Sequence, residues 1–475
     1  MTSQCEKRDE NPPMKTANSG DFSVGSVKTN ILRLAVPMTL AELIQVMYNI
    51  VDRIFIGHIP GTSSQALTGV GVTLPLITIL IAFANLFGTG GAPLFSIARG
   101  AGDKDRARDL MGNTFTLLLI AGGVMMSLIF AFKRPLLYLF GASENTYPYA
   151  DAYLTVYLLG TFFSMVSLGM NGFINAQGFG MIGMLTVSIG AALNLILDPL
   201  LIFVLKMGVR GAAVATVISQ AVSAIWVLRF LRSDKVMIPL EWKSMKLQGK
   251  LVRQITSLGI SGFVMGATSS LVQIVCNKTL QIWGGSLGDL YVGVMTVINS
   301  VREIVLLPMQ GLSSGAQPVM SFNYGAKQYG RVKEAIRFTT VICVIFSCAV
   351  WALLLICPQM FMRLFNDEPM LIAKGVSAMR IYFFGIFLMA LQMAGQSTFV
   401  ALGYSKYAIF FSLLRKAIIV VPLTVILPYL FGLGTDGVFW AEPISNLLGG
   451  TACFVTMLCV VRRRLTRAQQ TQTTP

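Results

Sequence analysis

The stretch "GGAPLFSIARGAGDKDRARD" at residues 90–109 occurs a second time, in altered form, as "GAQPVMSFNYGAKQYGRVKE" at residues 315–334. Identical residues recur at a constant offset of 225 in the pairs Gly90/Gly315, Pro93/Pro318, Ser96/Ser321, Gly100/Gly325, Ala101/Ala326 and Arg106/Arg331. The same offset pairs Ala176 with Ala401 and Gly178 with Gly403. The sequence therefore predicts an internal duplication, with one copy in each half of the chain.

Composition indicates that the two copies lie in a membrane. The chain has 475 residues, of which 54% are hydrophobic and 12% are charged, whereas soluble domains carry about 25% charged residues. Apolar segments of about 20 residues, the length that a spanning helix needs, recur from residue 31 to residue 461. An all-α polytopic membrane protein is predicted. Its twelve spans are expected at about 31–56, 68–91, 110–132, 150–175, 182–205, 211–231, 255–283, 288–319, 336–357, 378–400, 408–431 and 437–461.

The distribution of Lys and Arg predicts the orientation. One side of the predicted membrane holds 25 basic residues and the other holds 7. Because basic residues concentrate in cytoplasmic loops, both termini are expected in the cytoplasm. The protein itself is expected in the plasma membrane. The net charge of +16 is explained by these loops and by lipid contact, so no nucleic-acid partner is expected.

An even number of spans in each copy predicts a parallel repeat, in which two six-helix bundles share one orientation and can rock against each other. The first 30 residues are polar and lack the apolar stretch of a secretory signal. The expected units are a cytoplasmic tail, an N-terminal lobe, a basic linker, a C-terminal lobe and a basic cytoplasmic tail, at 1–30, 31–231, 232–254, 255–461 and 462–475.

Polar residues inside the first-half spans are the candidate functional residues. Helical spacing places four of them along one face of the first span: Gln45, Tyr48, Asn49 and Asp52. In the fifth span Asn194 and Asp198 are four residues apart, and Pro199 follows, which lacks an N–H and interrupts the helical hydrogen bonds. The sixth span offers Thr216 and Ser219. A charged Asp at a bilayer centre costs roughly 2.5–3.5 kcal/mol on insertion scales, so these carboxylates are expected to have a function.

Comparison of the copies supports this expectation over a role in holding helices together. With Leu34 aligned on Leu258, Asp52 falls opposite Cys276. With Pro199 aligned on Pro428, Asp198 falls opposite Leu427 and Asn194 opposite Leu423. A purely structural role should not restrict both carboxylates to one copy.

The second half has its own charged residues within predicted spans. Glu303 is expected either to contact a cationic substrate or to pair with Lys278, and the sequence leaves both open. Glu442 is expected at a helix N-terminus, where the helix dipole favours a carboxylate.

Several chemistries are not expected. The sequence lacks a G-x-x-x-x-G-K-[S/T] loop, so ATP hydrolysis by a P-loop is not predicted. Its seven cysteines include no C-x-x-C pair and His58 is the only histidine, which disfavours a soft-metal site and an intramembrane transferase. No cofactor is expected beyond a coupling ion.

Five segments together resemble the MATE family of multidrug and toxic compound extrusion transporters. They are "LAVPMTLAELIQVMYNIVDRIFIG" (34–57), "GAPLFSIARGAGD" (91–103), "LNLILDPLLIF" (193–203), "GVRGAAVATVISQ" (208–220) and "LPMQGLSSGAQPVMSFNYGA" (307–326). The resemblance implies an antiporter that exports organic cations or amphiphilic drugs in exchange for H⁺ or Na⁺. The resemblance also implies that the protein is a monomer and not an enzyme. A lipid-linked oligosaccharide flippase of the same superfamily is the nearest alternative.

The resemblance also implies roles for residues. Asp52, Asn194, Asp198 and Thr216 would bind the coupling cation, Na⁺ included, and Tyr153 would join this network, with Tyr48 and Gln45 beside it on the first span. Glu303 and Asn49 are expected to contact substrate. Some branches of the family place a sodium-binding carboxylate on the seventh span, but residues 261–280 contain none, so a second ion site is not expected.

Overall fold

The computed structural model describes residues 20–59, 63–365 and 368–473, and these residues form helices without β-strands. Most of the predicted N-terminal tail therefore lies outside the described residues. The α-helices, numbered along the chain, are α1 (Val27–Gly57), α2 (Ser63–Gly100), α3 (Lys104–Ala131), α4 (Lys133–Leu139), α5 (Tyr147–Leu159), α6 (Thr161–Ala176), α7 (Gly180–Pro199), α8 (Val209–Leu231), α9 (Gly249–Gly284), α10 (Gly288–Gly325), α11 (Tyr329–Ile356), α12 (Pro358–Arg363), α13 (Pro369–Tyr382), α14 (Ile386–Ala401), α15 (Ser405–Leu413), α16 (Val421–Ile426), α17 (Thr435–Ser445) and α18 (Thr451–Thr473).

These helices account for the twelve predicted spans. Among the described residues, nine continuous segments are long and apolar enough to cross a membrane, and two further spans are bent pairs of helices. One of the nine segments, Gly249–Gly325, is 77 residues long and contains both α9 and α10, so it supplies two spans. The prediction of an all-α protein with twelve spans is confirmed.

The bends repeat between the halves. Helices α5 and α6 meet at 57° around Gly160, and α13 and α14 meet at 50° near Gly385. These glycines are separated by the offset of 225 found in the sequence. Gly208 and Gly434 precede α8 and α17 with φ of 55° and 52°, in a backbone region that glycine adopts far more readily than other residues. The duplication therefore extends to backbone conformation.

Glycines also allow the two halves to touch closely. A Cβ at Gly90 would collide with the Ile255 carbonyl on α9, and one at the repeat-related Gly315 would collide with Ala35 on α1. Gly100 of α2 packs on the Phe322 carbonyl of α10, and Gly325 packs reciprocally on Ile97. Small residues at such crossings let membrane helices approach at backbone distance. The last two contacts close the two halves against each other at the end predicted to be cytoplasmic.

The short segment before α1 crosses this closed end. Arg99 of α2 donates a hydrogen bond to the Gly20 carbonyl at 2.8 Å and lies over the ring of Phe322, 4.5 Å from its centroid. Arg331 of α11 donates to the Phe22 carbonyl at 2.9 Å and to the Gly25 carbonyl at 2.9 Å. Residues 20–25 are thus bonded to both halves.

Candidate functional site

Two carboxylates from different helices meet inside the first half of the molecule. Asp52 lies on α1 and Asp198 lies on the last turn of α7. Their side chains are within hydrogen-bonding reach of each other. Asp198 is only 1% exposed, and Asp52 is half-buried. The structure therefore brings together the two carboxylates that the sequence singled out.

Asn194 links this carboxylate pair to the next helix. It lies one turn before Asp198 on α7 and is fully buried. With its amide oriented so that donors face acceptors, it donates to Asp198 Oδ2 at 2.5 Å and accepts from the Thr216 backbone N–H at 3.1 Å. This orientation satisfies both ends of a buried amide, as burial requires. Asn194 consequently fixes one oxygen of Asp198 relative to α8.

Tyrosine hydroxyls complete the cluster around Thr216. The side chains of Tyr48 on α1 and Tyr153 on α5 each lie close enough to Thr216 on α8 to interact with its side chain. Tyr153 stacks on Tyr157, with ring centroids 6.2 Å apart, and the Tyr157 hydroxyl accepts a hydrogen bond from Gln220 at 3.4 Å. Four helices therefore contribute to one polar cluster.

Tyr157 and Gln220 were not predicted from the sequence. Each lies one helical turn beyond a predicted residue, since Tyr157 follows Tyr153 and Gln220 follows Thr216 by four positions. Extending each predicted face by one turn would have found them.

The arrangement of charge is the main chemical property of this cluster. Among the described residues, no basic side chain forms an ion pair with Asp52 or Asp198, and Oδ1 of each has no hydrogen-bond partner. The nearest basic residue along the chain, Arg53, is exposed. Adjacent buried carboxylates without a counter-cation cannot both remain charged. They can share a proton, or they can bind a cation with help from the oxygens of Asn194 and Thr216.

Gln45 and Asn49 lie away from this pair. They hydrogen-bond to each other at 3.2 Å on the exposed part of α1. Of the four polar residues predicted along the face of α1, Tyr48 and Asp52 thus join the buried cluster, while Gln45 bonds Asn49 instead.

The helical break at Pro199 is confirmed. α7 ends at Pro199, and residues Leu200–Val204 form a π-helical turn. Such turns occur where the regular hydrogen-bond pattern is interrupted, as a residue without an N–H requires. The interruption lies directly after Asp198, at the site of the carboxylate pair.

The second half contains a polar cluster of different composition. Glu442 of α17 accepts hydrogen bonds from Arg415 at 2.8 Å and from Lys416 at 3.3 Å, and all three residues are buried. Arg415 also donates to Asn446 at 2.8 Å. The predicted position of Glu442 at a helix N-terminus is therefore wrong, because it is the eighth residue of α17 and is held by cations. Periodicity within a helix could not predict this contact, because Arg415 and Lys416 lie 27 and 26 residues before Glu442 in the sequence.

The structure bears on the two alternatives for Glu303, which were contact with a cationic substrate and an ion pair with Lys278. Among the described residues, no ion pair joins Glu303 to Lys278. Glu303 is exposed and lines a cavity of about 360 Å³ in the second half of the molecule. The ion-pair alternative is therefore not supported.

Contacts in the second half also correct the alignment of the two copies. Gly211 packs on the backbone of Leu201, and the repeat-related Gly437 packs on the backbone of Leu427, which gives an offset of 226 at this depth. At that offset Asp198 corresponds to Thr424 rather than to Leu427. Cys276, the counterpart of Asp52, does lie beside Thr424, with Sγ and Oγ1 3.8 Å apart. The alignment of Pro199 on Pro428 was wrong because the π-helical segment of the first half follows Pro199, whereas that of the second half precedes Pro428.

The fold and the site define a membrane transporter with two duplicated helical bundles and a buried, unpaired carboxylate pair in one of them. The MatE family model matches residues 37–200 and 267–426, more than half of the chain. The chain belongs to this family, whose members are transporters and not enzymes.

Similar proteins cover almost the full length. The multidrug export protein MepA of Staphylococcus haemolyticus is 26% identical over 448 residues, covering 94% of this chain and 96% of that protein. MepA of Staphylococcus aureus is 27% identical over 451 residues with the same coverage. A MATE crystal structure in the bent conformation superposes with a TM-score of 0.88 at 24% identity, covering 97% of this chain and 100% of that one. An outward-facing multidrug resistance MATE transporter gives 0.86 at 23% identity, covering 96% and 100%. These structures confirm the two-bundle fold.

Proposed function

We propose that the protein is a secondary active multidrug exporter, which moves organic cations and amphiphilic drugs out of the cell in exchange for H⁺ or Na⁺. The observation that carries this proposal is the Asp52–Asp198 pair between α1 and α7, in which Asp198 is buried and neither carboxylate has an ion-pair partner among the described residues. The names of the MepA relatives support drugs as the substrates.

The pair suits a coupling role because its charge can change during a transport cycle. When the pair holds one proton or one cation, the repulsion between the two carboxylates is removed and α1 can lie against α7 and α8. When the ion leaves, repulsion favours separation of the helices. Tyr48 and Asp52 lie on the same helix that packs against α10 of the other half. A shift of α1 would therefore change the contact between the two halves. In alternating access these halves rock against each other.

Substrate is expected to bind on the other half, where Glu303 is exposed to a cavity. An exposed carboxylate can attract a cationic amphiphile, and the apolar part of the lining, which includes Val272 and Met295, can hold its hydrophobic part. Asn49, exposed on α1, is a second proposed substrate contact.

Proteoliposomes loaded with a cationic dye test the function and identify the ion. Dye efflux is measured under an imposed H⁺ gradient and, separately, under an imposed Na⁺ gradient. Efflux that accelerates with one gradient supports antiport and identifies the coupling ion. Dye movement that responds to neither gradient, together with transbilayer movement of a fluorescent lipid, would favour the flippase alternative.

We further propose that both termini face the cytoplasm of a plasma-membrane protein. The unequal distribution of 25 and 7 basic residues supports this orientation. A reporter fused after Arg467 should be active only in the cytoplasm, and one inserted near Glu144 only outside. The opposite pattern would contradict the orientation.

A further inference from the structure

The cavity in the second half contains a combination of charges that a purely cationic substrate does not need. It lies between α9, α10, α13, the π-helical segment Leu414–Val420 and α17. Its volume is about 360 Å³, which is within the range of small-molecule sites. Arg302, Glu303, Lys416 and Glu442 are the four charged residues that line it.

Glu442 cannot serve an incoming cation, because its oxygens are already used. Oε1 accepts from Arg415 at 2.8 Å and from Lys416 at 3.3 Å, while Oε2 lies 3.4 Å from Lys416. Two buried cations thus share one carboxylate. Arg415 is further occupied by Asn446, whereas Lys416, which is 3% exposed, contributes to the cavity lining.

Arg302 adds a third positive charge to this region without a hydrogen-bonding partner of its own. It is half-buried, and its Nε is shielded from solvent and unsatisfied. In the part of the chain that the structure describes, its guanidinium makes no hydrogen bond and no ion pair, although Glu442, Glu303 and Tyr382 lie near enough to interact with it electrostatically. A planar guanidinium with free donors matches the geometry of an oxyanion such as a carboxylate, with which it can form two parallel hydrogen bonds.

The four charges that line the cavity balance, but Glu442 is also bonded to Arg415, so the region as a whole carries one positive charge in excess that an anion would balance. Three cations, Arg302, Arg415 and Lys416, stand against two carboxylates, the buried Glu442 and the exposed Glu303. Apolar residues, including Val272, Met295 and Val420, line part of the wall, and uncharged polar residues such as Gln273 and Asn299 line the rest. A ligand that suits these features is amphiphilic and carries one carboxylate.

We propose that this cavity binds the carboxylate group of an amphiphilic substrate, with Arg302 and Lys416 as the anion-binding residues. The proposal rests on the proposed function as an exporter of amphiphiles and adds a substrate class to it. Glu303 in the same cavity is consistent with substrates that also carry an amine.

A matched pair of dyes tests the proposal with the purified full-length protein. The probes are a rhodamine with a free carboxylate and the methyl ester of the same dye, and binding is measured by fluorescence anisotropy in detergent. The wild-type protein should bind the acid about tenfold more tightly than the ester, as charge-assisted hydrogen bonds predict. Equal affinities would overturn the proposal.

Arg302→Gln should remove most of the preference for the acid and leave ester binding within about twofold. Lys278→Gln is the matched control, because Lys278 is an exposed cation of the same half that does not line the cavity. It should leave both affinities unchanged. If Lys278→Gln reduced acid binding as much as Arg302→Gln, the effect would be one of net charge and the subsite would be refuted.

Two further measurements keep the test decisive. If Arg302→Gln does not fold, Arg302→Lys should retain a weakened preference for the acid, while the wild-type ratio alone can still contradict the proposal. Because binding in detergent needs no gradient, it is independent of export. A protein that prefers the acid but exports no dye would refute the proposed function and leave the carboxylate subsite standing.

Discussion

The two halves place a polar cluster at corresponding positions of a duplicated scaffold, but they fill it with different chemistry. In the first half Asp52 meets Asp198, and no basic side chain in the described part of the chain forms an ion pair with either. In the second half Cys276 meets Thr424 at the same positions, and Glu442 is neutralised by Arg415 and Lys416. Glu442 itself corresponds to Thr216 at the offset of 226.

The difference separates a site that can change charge from a site whose charges are fixed. A carboxylate that is bonded to two cations stays ionised, because its protonation would leave buried positive charges without a counter-ion. A carboxylate pair without cations must take up a proton or an ion from outside the protein. Duplication supplied two equivalent frameworks, and among the described residues only the first holds two neighbouring carboxylates without an ion-pair partner.

The largest expected effect is on coupling. Asp198→Asn and Asp52→Asn should each reduce gradient-driven dye efflux in proteoliposomes to the rate seen without a gradient, because one carboxylate cannot form the pair. Substrate binding in detergent should be retained. Thr424→Val and Cys276→Ala, at the corresponding positions of the second half, should leave the gradient dependence intact. Wild-type coupling in the Asp198→Asn protein would refute the role of the pair.

The free energy of unfolding should depend on the second cluster more than on the first, which is the opposite of the order expected for coupling. Glu442→Gln should destabilise the protein by about 3–5 kcal/mol, because it leaves Arg415 and Lys416 buried without their counter-ion. Asp198→Asn should change stability by less than about 1 kcal/mol, since no cation loses a partner. Thermal unfolding in detergent measures both. Similar losses for the two variants would show that the first cluster also stabilises the fold.

Removal of one hydroxyl from the first cluster should have a moderate effect. Tyr153→Phe removes the hydroxyl that lies near Thr216, and a net loss of about 0.5–1.5 kcal/mol for one hydrogen bond corresponds to a roughly two- to tenfold weaker response to the coupling ion. Efflux at graded ion concentrations measures it. A Tyr→Phe change in the second half, Tyr382→Phe at the position that corresponds to Tyr157, should not alter the ion response; if it did, both clusters would take part in coupling.

The smallest expected effect concerns substrate affinity. Glu303→Gln should weaken binding of a cationic dye by about two- to fivefold, as expected for an exposed ion pair worth about 0.2–1 kcal/mol. Its ion coupling should be unchanged, because Glu303 belongs to the half without the carboxylate pair. Lys278→Gln is the control and should not weaken binding of the cation. Loss of ion coupling in the Glu303→Gln protein would contradict the assignment of coupling to the first half and of substrate binding to the second.

The sequence by itself determined the class of protein, the twelve spans, the duplication and the residues of the carboxylate pair. Each follows from local rules: apolar segments of spanning length, residues four apart on one helical face, and the cost of a charge in a bilayer. These rules act within one helix or compare one helix with its copy. They were sufficient to select Tyr48, Asp52, Asn194 and Asp198.

Only the tertiary structure decided which helices meet and in what register. It joined Glu442 to Arg415 and Lys416, separated Gln45 from the pair, and aligned Asp198 with Thr424 through the contacts of Gly211 and Gly437. These facts depend on packing between helices and on π-helical turns that shift the register by a few residues. Sequence spacing within a helix carries no information about either, because the energy that fixes them comes from contacts between helices rather than along one.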